Sequence, residues 1–591
     1  MSSFLTNLNK ELKLSPRKQT TKLIDLQTAI KRIIKTIEPQ MKLHFSCAGA
    51  LPYSSIREII RQSSDYEEGL QFKAISLGSA SQIQMLVARE LVSKLITSYV
   101  GDVYPKPGVS PIFQRAVDKG LEIEQWSLIT LCLRLYAGAL GLKFISTKSI
   151  LGSTMAHDNA SSFKIIKDPF DSTKEVAIIK QLIPDLSFIH AWVADPYGNA
   201  LIFPPYSENL WGCFGSKNVI LTAEKIVDTE IIRNLVNTHQ CIAIPNGIVS
   251  SVSESPFGGH PGSNYGPNGA GYDIDLNHLI EYRESAKDVE RNTSWMKNWI
   301  LETSSKSYLQ KVGFENLTYN SGKLSEEYWK TSVIDKKSMI TLDHPSTPIE
   351  NMIWMATEII KRKVEEKGYQ TILAGQGASN LAAWLGTYSL RKEGSDINLL
   401  AEVGLYGYLP KPSSPYIFEF NNLRTSTAIV DSIMALGAIL QNTKSLGVLG
   451  AGQIDQCGNI NSTRVHTFIL FGSGGANDVG LNAEEIIVLL PLRSGRFPKR
   501  VPYITVPGTN VSTCITTDGI FEKRDDQTLS LTGIIEQVSE EEEIVTRITK
   551  TVEWELNVVK QLKKFLPPSQ RWLKFLRSFD PDRFFLGNIE N

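Results

Sequence analysis

Twice in this chain an apolar strand-like run ends in Asp-x-x-Gly-Asn. Leu186 to Val193 leads into Asp195-Pro-Tyr-Gly198-Asn199, and Leu446 to Ile454 leads into Asp455-Gln-Cys-Gly458-Asn459. Near the start of each half an apolar run also turns through small residues into a helical pattern, Leu43 to Ala50 before Ile56 and Ile372 to Ser379 before Leu381. A recurring unit of this kind points to two related halves. At 591 residues the chain is also too long for a single hydrophobic core.

The rest of the pattern sets the fold class. Leu26, Ile30, Ile33, Ile34 and Ile37 stand at helical spacing, with Pro39 as a stop. Short apolar runs recur at Asn218 to Thr222, Cys241 to Pro245, Thr467 to Phe471, Ile486 to Leu490 and Tyr503 to Val506, separated by helical segments such as Ile349 to Val364. Strands alternating with helices predict an α/β protein, each half a mostly parallel sheet flanked by helices. The polar stretch Ser321 to Pro345 reads as the join, which divides the chain into residues 1–343 and 344–591.

Composition narrows the function classes. The 62 basic and 62 acidic residues cancel, so no overall field draws the chain to nucleic acid or to an anionic membrane, and a small-molecule partner is expected. The six cysteines are scattered, with no CxxC pair and no histidine at zinc-ligand spacing, so reduced thiols and no metal are expected. Met1 to Thr21 is polar and basic and lacks the apolar run of a signal peptide, which predicts a cytoplasmic protein. Leu128 to Phe144 is apolar but interrupted by Arg134 and Lys143, so a buried helix is expected rather than a membrane span. In Gln561 to Arg577 basic and apolar residues mix as in a lipid-facing helix, but Pro567 and Pro568 break it and a packed terminal segment is preferred.

Chemistry concentrates in the second half. The strand Asn398 to Ala401 ends in Glu402-Val403-Gly404, placing a carboxylate at a strand's carboxyl end, where ligands bind in open α/β sheets. A carboxylate that caps a loop or pairs with a lysine has the same local sequence. Two further strand ends give Glu402 company: Gly452-Gln453, and Gly472-Ser-Gly474-Gly475-Ala476-Asn477-Asp478. Consecutive glycines can aim successive amides to one side as an anion nest, and they equally make a tight turn without a ligand. Gly375-Gln-Gly377 joins strand to helix but lacks the third glycine of a dinucleotide fingerprint, so no nicotinamide cofactor is expected. In the first half Ser253 to Tyr272 holds six glycines and presents Gly258, His260, Ser263 and Tyr265, as a substrate-lining loop or a surface Ω-loop. His190, inside an apolar strand run, reads as a satisfied core histidine.

The series of motifs resembles a family I coenzyme A transferase of the glutaconate type with its α and β subunits fused. In the first half the likeness rests on Pro184 to His190, Asp195 to Asn199, Asn218 to Glu224 and Pro256 to Pro261 with Tyr265. In the second it rests on Ala401 to Gly404, Gly452 to Thr463, Gly472 to Asn477 and Thr517 to Phe521, and it runs in order from about Lys22 to about Gly533. The resemblance implies an active site at the interface of the halves. There Glu402 attacks an acyl-CoA thioester, passes through an acyl-glutamyl anhydride and a glutamyl-CoA thioester, and hands coenzyme A to a carboxylic acid. Gly404, Gln453, Gly474, Gly475 and Ala476 are then the candidate oxyanion and acyl-CoA contacts, with Gly258, His260, Ser263, Tyr265, Gly375 and Gly377 as substrate-loop candidates. Coenzyme A enters as substrate, no cofactor is held permanently, and a homodimer is expected. One loop departs from the pattern: relatives carry a glycine pair followed by Phe where this chain has Phe45-Ser-Cys47-Ala-Gly-Ala50. A hydrolase using the same site and a non-catalytic acyl-CoA-binding protein are the alternatives.

Overall fold

The computed structural model describes residues 2–12, 20–64, 69–239, 241–536 and 541–589; residues 13–19 of the polar N-terminus lie outside them. Two large sheets organise the chain. In the first, parallel strands follow the order Glu122–Gln125, Val92–Val100, Phe72–Ser79, Lys42–Phe45, Leu186–Ala194, Asn218–Ile226, Val249–Glu254. Ala200–Ile202 and Ile242–Ile244 extend it antiparallel. In the second, Asn398–Ala401, Thr371–Ala374, Ser445–Gly450, Glu485–Leu489 and Val511–Ile515 lie parallel in that order. Short antiparallel strands and the C-terminal strands complete this ten-stranded sheet. Strands of this kind are apolar along both faces because helices cover each side. Leu186–Ala194 is buried at all but Trp192, and Glu485–Leu489 throughout.

The repeated motif forms the same turn in both halves. Asp195 Oδ1 accepts the amides of Tyr197 and Asn199 at 2.9 Å each, and Oδ2 accepts Asn199 Nδ2 at 2.7 Å. Asp455 Oδ1 accepts the amides of Cys457 and Asn459 at 3.0 Å each, and Oδ2 accepts Asn459 Nδ2 at 3.1 Å. Each turn's Asn side-chain oxygen then takes the amide of a short 3₁₀ turn, Asn246 in one half and Gly508 in the other, that opens the edge parallel strand.

Helices occupy the expected stretches, Leu26–Ile34, Leu128–Ala139 and Pro348–Lys367. Among the described residues no helix is long and apolar enough to cross a membrane. Two expected strands are absent from the sheets. Within Thr467 to Phe471 only Phe468–Ile469 pairs, in a two-residue hairpin with Arg464–Val465, and Tyr503 to Val506 makes a single bridge, Val506 to Ile460. Pro502 and Pro507 flank that second run and remove donors a ladder would need. The run to Ile454 also breaks, at Gly450, and its end pairs separately with Ile460–Asn461. The polar join is helical in part, at Tyr328–Asp335 and Lys337–Ile340.

One apolar core spans both sheets, uniting Ile75, Trp126 and Leu131 with Leu373, Leu436, Val479 and Ile486. The C-terminal segment packs as well: Val558–Phe565 joins the second sheet, and on the helix Gln570–Phe579 Trp572 meets Trp354 with ring centroids 5.0 Å apart. Arg577, 2% exposed, donates to both oxygens of the fully buried Glu350 at 2.9 and 3.1 Å. Arg583 Nη1 also reaches Glu350 Oε1 at 3.0 Å, so removing Arg577 leaves the buried carboxylate half-paired rather than alone. Arg577→Met is therefore expected to destabilise the second half by less than the about 3–5 kcal/mol of a lone buried charge, read as a fall in the denaturant midpoint, and an unchanged midpoint would contradict the pairing.

Candidate active site

The second sheet delivers Glu402 directly. It follows the last residue of the strand Asn398–Ala401, and the chain turns at once: the Gly404 amide bonds Ala401 O at 2.9 Å, and Gly404 O accepts Val430 N at 2.9 Å. Gly404 adopts φ 102°, and a Cβ there would lie 1.8 Å from Val430 O, so only glycine permits this turn. Glu402 keeps a part of its surface open at the carboxyl edge of the sheet.

The Gly472–Asp478 segment lies against it and against the first half at the same time. Gly474 N donates to Ser98 O at 2.8 Å, and Gly474 O accepts Leu128 N at 2.9 Å. The next residue, Gly475, lies against the Glu402 carboxylate: a Cβ there would sit 2.4 Å from Glu402 Oε2, and its amide favours the ionised form. Asn477 Oδ1 accepts Ile150 N at 2.8 Å while its Nδ2 donates to Thr505 O at 2.8 Å. Asp478 Oδ2 accepts Ile129 N at 2.9 Å, in the first turn of the first-half helix Leu128–Ala139. A carboxylate there meets the positive end of the helix.

These contacts set the charge state. Burial raises the Glu402 carboxyl to about 7, the Asp478 charge pushes the same way, and the Gly475 amide opposes both. Burial also raises Asp478 to about 7, against the amides of Ile129 and Leu128 and the hydroxyls of Ser127 and Ser149. Cys47, from the loop that departs from the family pattern, lies within reach of the Glu402 charge, as does Tyr99. The Cys47 amide donates to Asn209 Oδ1 at 2.9 Å, and Asn209 Nδ2 returns to Ala48 O at 2.9 Å, which fixes that loop. Burial, helped by Glu208, pushes the Cys47 thiol up to about 12.

The structure thus gathers Glu402, Gly404, Gly474, Gly475 and Ala476, but not all as donors. Gly474 spends its amide on Ser98, Gly404 on Ala401, and Ala476 on Ser473 at 3.0 Å, leaving Gly475 as the glycine amide aimed at the carboxylate. Gln453 sits in a neighbouring hairpin, held by Asn461 Nδ2 at 2.9 Å and by Gly495 O at 2.8 Å. The Gly375 amide is taken by Val448 O at 3.0 Å, and that of Gly377 by Asn380 Oδ1 at 2.6 Å. The glycine-rich loop of the first half is packed rather than displayed. His260 is fully buried, its ring bonded to Tyr308 Oη at 2.8 Å and Asp275 Oδ2 at 3.0 Å, and a Cβ at Gly258 would meet the His190 ring at 2.5 Å. Tyr265 donates to Asp273 Oδ1 at 3.0 Å, and Ser263 beside it stays half-buried. His190 is satisfied by Thr222 at 2.9 Å and Glu224 at 2.6 Å. Sequence reasoning gave no role to Asp478, Ser98 or Cys47. Asp478 stood in the glycine segment itself, but Ser98 lies inside a strand and carries no local signal.

Residues 26–246 match the family model described as coenzyme A transferase. An uncharacterized protein of Archaeoglobus fulgidus is 32% identical over 261 residues, 44% of this chain and 55% of its own, so the chain spans about half the length of that relative. One of the subunits of glutaconate CoA-transferase from Acidaminococcus fermentans is 27% identical over 282 residues, 45% of this chain and 84% of its own. An acyl-CoA transferase of E. coli O157:H7, solved as a thioester complex with CoA, shares the fold through both halves: TM-score 0.62 at 16% identity, over 94% of this chain and 96% of that one. The chain is thus similar to coenzyme A transferases in sequence through its first half and in fold through both halves.

Proposed function

We propose that the chain moves coenzyme A from an acyl-CoA thioester to a carboxylic acid, with Glu402 as the nucleophile, in a site formed where residues 1–343 meet residues 344–591. The observation that carries this reading is the Glu402 carboxylate itself, held at a strand's carboxyl edge against the Gly475 amide. One Glu402 oxygen attacks the thioester carbonyl, the C–S bond breaks, and the CoA thiolate leaves a mixed anhydride. The thiolate then attacks the Glu402 carbonyl carbon, the acyl group departs as its carboxylate, and a glutamyl-CoA thioester remains. An acceptor carboxylate runs the two steps in reverse and leaves as a new acyl-CoA.

A carboxylate is a weak nucleophile, and two features of this site favour it. Burial raises its pKa, which strengthens the nucleophile at the expense of its ionised fraction. When the thiolate attacks Glu402, the oxyanion forms on the oxygen beside the Gly475 amide, a donor already in place; such a donor contributes about 3 kcal/mol to the transition state. Transfer between thioester and carboxylate is close to balanced in energy, and the distant parts of coenzyme A supply binding energy for the attack.

Incubation with a panel of acyl-CoAs followed by borohydride is expected to convert Glu402 to its alcohol, identified by mass spectrometry of the peptide that contains it. Glu402→Ala should remove CoA exchange by a thousandfold or more, roughly the loss typical of a covalent nucleophile. No modified Glu402 in protein that binds CoA would sink the transferase reading, and release of free CoA without an acceptor would assign a hydrolase.

Because only the ionised carboxylate attacks, kcat/KM is expected to fall as pH drops through about 7. Asp478→Asn removes a negative neighbour that holds the Glu402 pKa up, so the acidic limb should move to lower pH. A limb that stays in place in an active variant would show that the two carboxyls do not interact.

A further inference from the structure

Arg493, Arg496, Lys499 and Arg500 crowd into eight residues of a chain whose charges otherwise cancel. They occupy the loop that leaves the carboxyl end of the strand Glu485–Leu489. Among the described residues none of the four side chains has an ion-pair or hydrogen-bond partner. Three other arginines of this half are paired: Arg464 with Asp158 at 3.0 Å, Arg362 with Glu522 at 2.6 Å, and Arg547 with Asp518. Arg496 is half-buried beside Arg493, and both burial and that like charge work against its cation. Cations brought together and partly desolvated without a carboxylate fit an anionic ligand from outside.

The loop is fixed to the site's own framework. Gly495 O accepts Gln453 Nε2 at 2.8 Å, and Arg496 O accepts Ile454 N at 2.9 Å. Gln453 bonds Asn461, and the adjacent Ser462 O accepts the amides of Phe471 and Gly472 at 3.0 Å each, at the start of the segment that reaches Glu402. Glu402 and the basic loop also leave the same edge of the sheet. Their strands are parallel and separated by Thr371–Ala374 and Ser445–Gly450. Three strand spacings amount to about 14 Å. The pantetheine arm of coenzyme A is equivalent to about five residues of extended chain at ~3.5 Å each, roughly 17 Å, so a thioester at Glu402 brings the phosphates to this loop.

Resting on the transferase reading, we infer that Arg493, Arg496, Lys499 and Arg500 bind the phosphates at the nucleotide end of coenzyme A. Calorimetry of the full chain with CoA, dephospho-CoA and pantetheine tests this. CoA should bind more tightly than pantetheine and lose affinity as salt is raised. In Arg493→Gln/Arg496→Gln the affinity for CoA should fall tenfold or more, about the loss of one charge-assisted contact, and KM for an acyl-CoA should rise toward that for the acyl-pantetheine thioester. Arg493→Gln/Arg500→Gln changes only exposed side chains and should act in the same direction if the half-buried Arg496 matters to folding. Wild-type binding of CoA that both double variants retain would overturn the assignment of this loop while leaving the transferase reading intact. Failure of the wild-type chain to bind CoA would overturn both.

Discussion

The contact on which the rest of this architecture turns is the pair of hydrogen bonds at Gly474, whose amide reaches Ser98 O and whose carbonyl receives Leu128 N. Both cross from one half of the chain to the other. The residue after it faces Glu402, and the residues after that, Asn477 and Asp478, again bind first-half amides. The same short segment therefore helps to join the halves and lies against the carboxylate. Asp478 couples the two roles electrostatically: a buried charge held by a first-half helix terminus helps to determine when Glu402 ionises.

The halves repeat each other in their scaffold and differ at this edge. Asp195 and Asp455 form the same turn, Gly198 and Gly458 pack against Val249 and Val511, and Lys22 and Lys523 donate to the carbonyls beneath. In strand order, Phe72–Ser79 stands where Asn398–Ala401 stands in the second sheet. The first ends in Ser79-Ala80 and the second in Ala401-Glu402, so only one copy offers a carboxylate. What the first half adds instead is backbone: the Ser98 carbonyl and the amides at the start of Leu128–Ala139.

The scaffold was legible in the sequence because its signals are local. Strands such as Leu186–Ala194 and Asn398–Ala401 are apolar runs closed by turn residues, and the Asp turn is a five-residue motif that satisfies itself. The seam was not legible in the same way. Ser98 meets Gly474 through backbone atoms that any residue would supply, and that pairing depends on how two sheets dock. Local patterns were least informative where they had more than one physical use. Glycines 474 and 475 read alike, yet one amide is spent on the neighbouring half and the other on Glu402. The glycines around His260 fit a substrate-lining loop or a surface Ω-loop equally in sequence, and in the structure they let the chain pack closely enough to bury His260 against Tyr308 and Asp275. Tyr503 to Val506 looks like a strand until Pro502 and Pro507 are counted as missing donors.

The departure at Phe45 to Ala50 places a second nucleophilic side chain type beside Glu402, and electrostatics decides between them. A thiol competes only as its thiolate. Burial and the charges of Glu208 and Glu402 hold Cys47 at about 12, whereas Glu402 stands at about 7. At neutral pH Cys47 is therefore a small neutral group, and the ionisable pair is Glu402 with Asp478. Groups whose environments push their pKa values apart take different roles. Burial is the largest cause for both groups, with Glu208 and Glu402 adding to it at Cys47 and Asp478 adding to it at Glu402, so near neutral pH the thiol stays protonated while the carboxyl titrates.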